Sequence, residues 1–288
     1  MSVRLAANAM GTRFELVLDG DDEVRLRAAG EDALDEIVRL DAQLSFYRSA
    51  SDISWINGYA ASEPVIVEPR LCRLLDRCLT LSAETDGAFD ITVAPLMKAW
   101  RFVGESGASP DASSLDRARA LVGSERVELD PGARTVRFAR VGMLLDLGSA
   151  AKGYAVDAAI DRLRESGVPR ALLHGGTSSV HTIGRPDIGH GWEIEWNPGG
   201  VPPQVFELRD SALAASAVHG KAFRAGDRVF GHVMDPGTGA PVVNARAAVV
   251  TGPHSFECDV LSTALLVRGA PWLPVLCARF PEYEGYVV

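Results

Sequence analysis

The sequence has few of the features that mark disulfide-rich, zinc-binding or membrane-spanning proteins. Its four cysteines, Cys72, Cys78, Cys258 and Cys277, form no close Cys-x-x-Cys pair, and none precedes a histidine at zinc-binding spacing. We therefore expect buried free thiols, and neither a disulfide framework nor a zinc site. The sequence has no run of about 18 apolar residues. We therefore expect no stable insertion into a membrane.

Positive charge is also scarce. The formal net charge is −9, and the lysines and arginines form no stripe, which argues against nucleic acid or an anionic membrane as the main partner. The opening MSVRLAANAMGTRFELVL lacks a long apolar segment, so the chain as it stands is expected to be cytoplasmic. A chain trimmed of a signal peptide would read the same and would be periplasmic or extracytoplasmic.

The apolar pattern predicts interleaved helices and short strands. Helices are predicted over 23–44, 69–85, 150–166 and 255–267, with a shorter one capped by Ser113 or Ser114 after a loop over 104–114. Strands are predicted over 13–18, 126–129, 135–139, 143–147, 171–174, 192–196, 205–208, 229–234, 247–251 and 286–288. The order lacks a strict βαβ rhythm, so we expect an α+β fold with mixed or antiparallel sheets. Neither an internal repeat nor a boundary is visible, and a single domain over 1–288 is expected.

A strand-to-helix turn over 146–157 is the first candidate for chemistry. It reads Asp-Leu-Gly-Ser-Ala-Ala-Lys-Gly-Tyr-Ala-Val-Asp, with Lys152 in the first turn of the predicted helix. Small residues allow close approach of a ligand, and a helix N-terminus offers N–H groups to phosphate. The competing interpretation is a plain turn with a surface lysine, since such turns alone are weak motifs.

A second candidate is a carboxylate and a hydroxyl on one helix face. Asp259 and Thr263 are four positions apart in the last predicted helix, and their oxygens suit Mg²⁺. Asp259 would equally favour its own helix dipole, with Thr263 bonding back to the backbone. His232 lies in the predicted strand 229–234, which breaks at Asp235-Pro-Gly, and Asp90 follows a buried-type phenylalanine; each is also explained as part of a turn.

Six segments in this order resemble the ApbE family of FAD:protein FMN transferases. They are Met10-Gly-Thr12, Leu44-Ser-Phe-Tyr47, Gly87-Ala-Phe-Asp90, Asp146-Leu-Gly-Ser-Ala-Ala-Lys152, His232-Val-Met-Asp235 and Asp259-Val-Leu-Ser-Thr263. The resemblance implies an ApbE-like, T-fold-like α+β architecture. It also implies Mg²⁺-dependent transfer of FMN from FAD, the substrate, to a Ser or Thr hydroxyl of an acceptor flavoprotein, with release of AMP.

The resemblance also implies residue roles. His232 is implied to be catalytic, near the pyrophosphate. The positions implied to contact FAD are Met10, Tyr47, Ala88, Phe89, Asp90, Asp146, Lys152 and Met234. The positions implied to hold the metal are Ser149, Asp259, Ser262 and Thr263.

Two departures from the family pattern leave other functions open. A Thr-Ser-Gly segment followed by an aromatic residue and arginine is replaced here by the stretch Ala215–Lys221, and Thr177 stands where an acidic residue or its amide is usual. An FAD-storage protein without transfer, or a Mg²⁺-dependent FAD pyrophosphatase giving FMN and AMP, fits the same motifs. Mn²⁺ would satisfy the same hard oxygen ligands. A nucleotide-dependent oxidoreductase is disfavoured, because no Gly-x-Gly-x-x-Gly follows a predicted strand.

Overall fold

A computed structural model of the chain describes residues 1–104, 107–186, 188–218, 222–225, 228–243 and 245–288. The helices are α1 (Glu23–Leu44), α2 (Asp52–Tyr59), α3 (Pro69–Glu84), α4 (Ala94–Ala99), α5 (Ala112–Arg119), α6 (Ala151–Glu165), α7 (Ser255–Arg268) and α8 (Leu273–Arg279). The strands are β1 (Ser2–Ala9), β2 (Thr12–Asp19), β3 (Val65–Ile66), β4 (Val127–Asp130), β5 (Thr135–Phe138), β6 (Arg170–Gly175), β7 (Ser179–Ile183), β8 (Trp192–Trp196), β9 (Gln204–Leu208), β10 (Ala212–Ala217), β11 (Ala222–Ala225), β12 (Arg228–Gly231), β13 (Ala247–Gly252) and β14 (Glu284–Val287).

A seven-stranded sheet organises the fold. Its strand order is β1-β2-β6-β7-β10-β13-β14, and each neighbouring pair is antiparallel. Side chains alternate across it: Phe14, Leu16 and Leu18 of β2 are fully buried, and the residues between them are not. These three join the core cluster that also holds the apolar residues of α1, α6 and α7. The predicted α+β class is confirmed, and each pairing of named strands is antiparallel.

The opposite face of the sheet carries a second apolar layer. The β8–β9 hairpin brings Trp196 and Leu208 against Val180, Leu213 and Val249 of the central and distal strands. Elsewhere β3, β5 and β4 form a small antiparallel sheet beside α3. No helix within the described ranges is both long enough and apolar enough to cross a membrane.

A smaller cluster of apolar and aromatic side chains lies between α4, α5 and the β11–β12 hairpin. Trp100 and Phe102 pack there against Phe223 and Phe230, whose rings stack at 5.4 Å. The Trp100 indole donates to the Gly239 carbonyl at 2.8 Å, which ties this cluster to the turn after β12.

Several local predictions were wrong, for identifiable reasons. Residues 143–147 are an apolar run but form no strand, because the Asn57 side chain bonds both backbone groups of Leu145, at 2.7 and 2.9 Å. The Ile-Thr-Val run over 91–93 also forms a turn. The helix α2 was not predicted; its first turn is capped by the Ser51 hydroxyl. Asp111, and neither Ser113 nor Ser114, caps α5.

Candidate active site

Asp259 lies at the meeting point of α6 and α7. It belongs to α7, yet its carboxylate accepts from the Gly153 amide in the first turn of α6 at 2.6 Å and from the Ser179 hydroxyl of β7 at 2.9 Å. The residue is only 4% exposed, and this burial raises the pKa of Asp259, against the opposing charge of Lys152. The Asp259 carboxylate is therefore buried at the positive end of a neighbouring helix.

Asp157 makes the reciprocal contact. It belongs to α6, and its carboxylate accepts from the amides of Ser255 and Phe256 in the first turn of α7, at 2.8 and 2.9 Å. His181, which has no exposed surface, places its Nδ1 3.0 Å from Asp157 and 3.0 Å from the Ser255 hydroxyl. The two helices thus cap each other, and their relative position is fixed by hydrogen bonds at both contacts.

A group of hydroxyls flanks Asp259 on α7. The Ser262 hydroxyl donates to the Asp259 carbonyl at 3.0 Å, and the Ser216 hydroxyl of β10 lies 2.8 Å from that of Ser262 and 3.1 Å from that of Thr263. Ser262 is fully buried and Thr263 is half-buried. The structure therefore groups three of the four implied metal positions on one helix. Sequence analysis missed Ser216 and Ser179 as members of this group.

The turn that precedes α6 and the first residues of that helix carry Asp146, Ser149 and Lys152, three more of the positions that the resemblance implies. The Asp146 amide donates to the Ile91 carbonyl at 2.8 Å, and the Asp146 carboxylate accepts from the Gly148 amide at 2.8 Å. This places the turn directly beside the segment that contains Ala88, Phe89 and Asp90. Ser149 and Lys152 follow in the turn and the first helical residues, and both are half-buried.

Asp90 is extensively bonded within the protein. Its two carboxylate oxygens accept from the amides and hydroxyls of Thr92 and Ser124, at distances between 2.6 and 3.0 Å. Phe89 is fully buried and Ala88 nearly so. These contacts give the three residues a structural part in shaping the loop, and their contact with FAD stays a prediction.

A pocket of about 510 Å³ surrounds the turn between β1 and β2. Met10 sits in this turn with φ of 50°, and its amide donates to the Asp41 carboxylate at 2.9 Å. Arg48 pairs with the same carboxylate at 2.6 Å. Tyr47, the residue before Arg48, is 59% exposed. Of the sequence-predicted FAD positions, Met10 therefore lines this pocket together with Asp41 and Arg48, and Tyr47 directly precedes Arg48 in the chain.

Met234 and His232 lie just after β12. Met234 is buried in the cluster with Leu96 and Trp100, and it forms a β-bridge with Pro241. His232 follows β12 and is half-buried. In the stretch Ala215–Lys221, residues 215–217 end β10, whereas His219, Gly220 and Lys221 lie outside the described residues. Thr177 is exposed in the turn between β6 and β7.

Comparison with known sequences identifies the family of this chain. A sequence profile of the ApbE family matches residues 10–287. This chain belongs to the ApbE family. A protein of Treponema pallidum named FAD:protein FMN transferase is 30% identical over 303 residues, which cover 96% of this chain and 84% of that protein. A Vibrio cholerae protein of the same name is 27% identical, covering 93% and 81%.

Solved ApbE structures share the whole fold. The ApbE protein of Thermotoga maritima superposes with a TM-score of 0.92 at 26% identity, covering 100% of this chain and 94% of that one. The apo form of the Pseudomonas stutzeri flavinyl transferase ApbE gives 0.85 at 28% identity, covering 100% and 95%. The resemblance to the ApbE family and the ApbE-like fold are confirmed.

The side chains around Asp259 suit a hard cation of the kind the family resemblance implies. Within the described ranges there is no group of three or more His, Cys, Asp or Glu side chains that could hold a metal ion. The position offers one buried carboxylate and hydroxyl oxygens, and this oxygen-only set fits Mg²⁺, which keeps other positions for phosphate and water. Each Asp259 oxygen accepts one protein hydrogen bond and retains a second lone pair.

Proposed function

We propose that this ApbE-family chain is a Mg²⁺-dependent FAD:protein FMN transferase, which moves FMN from FAD to a Ser or Thr hydroxyl of an acceptor protein. The observation that carries the proposal is the buried Asp259 carboxylate, which is held at the N-terminus of α6 near Lys152. The hydroxyls of Ser216, Ser262 and Thr263 form a hydrogen-bonded cluster on and beside α7, the helix that contains Asp259. A storage protein has no need of a buried anion and oxygen ligands at this place. The family relatives named for the same activity support the assignment.

The reaction requires recognition of a pyrophosphate. The first turn of α6 has no side-chain cap from its own N-terminal residue, and Lys152 stands in that turn. Helix dipole and ammonium group together favour phosphate oxygens. Asp259, Thr263, Ser262 and the turn at Ser149 would hold Mg²⁺, which supplies charge neutralisation and polarisation of phosphorus.

The covalent change is a substitution at phosphorus. The acceptor hydroxyl oxygen bonds to the phosphorus on the FMN side, the bond from that phosphorus to the bridging oxygen breaks, and AMP leaves. The hydroxyl proton passes to a base, a role we assign to His232, whose position beside the Met234 cluster is set by the end of β12. A positioned base typically contributes about 10²–10⁴-fold.

The pocket at Met10 and Tyr47 would receive the flat rings of the substrate. A methionine sulfur and a tyrosine face both pack well on a heterocycle. Tyr47 is exposed, and its neighbour Arg48, which lines the pocket, is held by Asp41.

The test is AMP release from FAD by the purified protein, with Mg²⁺ and with EDTA, followed by separation of protein-bound and free FMN. Metal-dependent AMP together with FMN covalently attached to an added acceptor flavoprotein supports transfer. AMP with all FMN in solution would replace transfer by FAD pyrophosphatase activity. Tight FAD binding without AMP, even with acceptor present, would replace it by storage.

A further inference from the structure

A second groove lies on the other side of α1 from the Met10 pocket. Its volume is about 500 Å³, and it is lined by residues of α1, α3 and α6 together with Ala50. Asp41, which lines the Met10 pocket, is about 140° around α1 from Glu36, which lines this groove. Arg162 is ten residues beyond Lys152, about 15 Å along α6. The groove is therefore separate from the proposed flavin site.

Three guanidinium groups from three helices converge in this groove on one carboxylate. Glu36 is 3% exposed, and it pairs with Arg39 at 2.7 Å, with Arg162 at 3.5 Å and with Arg70. Each arginine side chain remains between a third and three-fifths exposed, so part of every guanidinium faces the groove. Three cations thus share a single buried anion.

The other acidic groups nearby are already engaged. The Glu68 carboxylate caps α3, accepting from the amides of Arg70 and Leu71 at 2.8 and 3.0 Å. Asp52 accepts from the Gln43 amide at 2.9 Å, and Asp32 lies 3.5 Å from Arg162. The groove lining itself holds three guanidinium groups against two carboxylates, in a chain whose net charge is −9.

Guanidinium donors outnumber the acceptors that Glu36 provides. A carboxylate has about four acceptor sites, whereas each guanidinium carries about five N–H donors. Arg70 uses its Nε on the Tyr154 hydroxyl at 2.8 Å, and its remaining donors, like those of Arg39, are partly turned to solvent. Several planar guanidinium groups arranged around one point can each donate paired hydrogen bonds, and this suits the oxygens of a tetrahedral oxyanion better than a compact point charge does.

We propose that this groove, formed by Glu36, Arg39, Arg70 and Arg162 and bordered by Ala42 and Ala50, binds a phosphate group. The phosphate is either inorganic phosphate or the phosphate of a nucleoside monophosphate, and both present the same oxygens to the arginines. Glu36 orders the three guanidinium groups before the ligand arrives, which lowers the entropy lost on binding.

The test is a titration of the full ¹⁵N-labelled chain with sodium phosphate at constant ionic strength, against sodium chloride, with AMP in a parallel titration. Saturable shifts of the Arg39, Arg70 and Arg162 side-chain signals are expected. A stronger response to AMP would identify the nucleotide as the source, and equal responses would identify free phosphate. Shifts that grow linearly and match those of chloride would overturn the proposal.

Arg39→Ala is the decisive variant, because Glu36 keeps Arg70 and Arg162 as partners. Phosphate affinity should fall about tenfold, as expected for a lost charge-assisted hydrogen bond. Arg27→Ala is the matched control: Arg27 is also exposed on α1, and it pairs with Glu23 at 3.7 Å outside the groove. Equal losses in both variants would reduce the effect to net charge and contradict a built site.

A second variant keeps the three arginines. Ala42→Glu adds a carboxylate to the exposed groove wall on a helix that tolerates glutamate well. It should weaken phosphate binding at least as much as Arg39→Ala, and unchanged affinity would contradict the site. FAD-dependent AMP release should be unaffected in both variants, so the groove and the proposed transferase activity are tested independently.

Discussion

Asp157 and Asp259 each cap the helix to which the other belongs. Asp157 of α6 accepts from the first amides of α7, and Asp259 of α7 accepts from the Gly153 amide of α6. One of the two aspartates, Asp157, is backed by a buried histidine, and the other, Asp259, also accepts from the Ser179 hydroxyl and lies one helical turn before Ser262 and Thr263. The same arrangement therefore holds the helices together and presents the proposed ligand.

Replacing Asp157 by alanine should destabilise the fold by about 2 kcal/mol, because two amides of α7 and His181 lose their acceptor. Urea unfolding measures the effect. The control is Asp161→Ala on the same helix, an exposed residue 3.8 Å from Arg164, which should cost less than about 0.5 kcal/mol. Equal costs for both variants would refute the capping role.

Gly153→Ala should weaken the fold although alanine is the better helix former. A Cβ at this position would overlap the Ser255 carbonyl, so α6 and α7 would have to separate, at a cost of about 1–3 kcal/mol. Gly58→Ala in α2 meets no atom within 4 Å and should stabilise by about 0.5–1 kcal/mol. Thermal unfolding of the two variants should therefore shift in opposite directions. A rise for Gly153→Ala would disprove the close contact.

Asp259→Asn should abolish metal-dependent AMP release while circular dichroism shows a folded protein. The amide removes the negative charge that would attract the proposed Mg²⁺ but keeps an oxygen for one of its two donors, Gly153 and Ser179. Asp161→Ala serves again as the charge control. A variant rate equal to that of the parent at saturating Mg²⁺ would remove Asp259 from the metal site.

Tyr47→Ala should weaken FAD binding by about tenfold, the loss of one stacking contact, and should change the rate of bound-state chemistry much less. Flavin fluorescence gives the dissociation constant, and single-turnover AMP release gives the rate. Tyr286→Ala removes a similarly exposed tyrosine from β14 at the far edge of the sheet and should change neither. If FAD binds equally to both variants, Tyr47 is not part of the flavin site.

Thiol reactivity should distinguish one cysteine from the other three. Burial raises the pKa of the Cys72, Cys78 and Cys258 thiols, which leaves little thiolate at neutral pH, whereas Cys277 is exposed. A disulfide reagent at pH 8 should label Cys277 rapidly in the folded protein, and all four cysteines after unfolding in guanidinium. Rapid labelling of Cys258 in the folded protein would show that the α7 core opens.

The sequence predicted those helices and strands that are determined by neighbouring residues, through a cap or a periodic apolar pattern. The bounds of α1 are confirmed at both ends, because Asp22 caps an amphipathic run that ends at Leu44, and β8 agrees over Trp192–Trp196. The strand β10 was not predicted, because ALAASA has low β propensity and is a strand only through its pairing with β7 and β13.

The site shows the same limit. Spacing correctly placed Asp259 and Thr263 on one helix, but it assigned Asp259 to its own helix dipole as the alternative, whereas the structure shows it capping α6. The contact joins residues 106 positions apart, and no local pattern reports such a distance. Ser179 and Ser216 lie in strands that the sequence did not reveal, so their hydroxyls could not be assigned to the site.

The strand order of the large sheet determines how far apart Ser2 and Val288 lie across it. Because β1 and β14 form opposite edges, six strand spacings separate them, or about 29 Å along the sheet. A fluorophore attached ahead of Ser2 and another attached after Val288 would therefore stand on opposite flanks of the molecule. Such a pair reports the integrity of every ladder between them, and a linker that joined the two ends in a circular permutant would have to run the full width of the sheet.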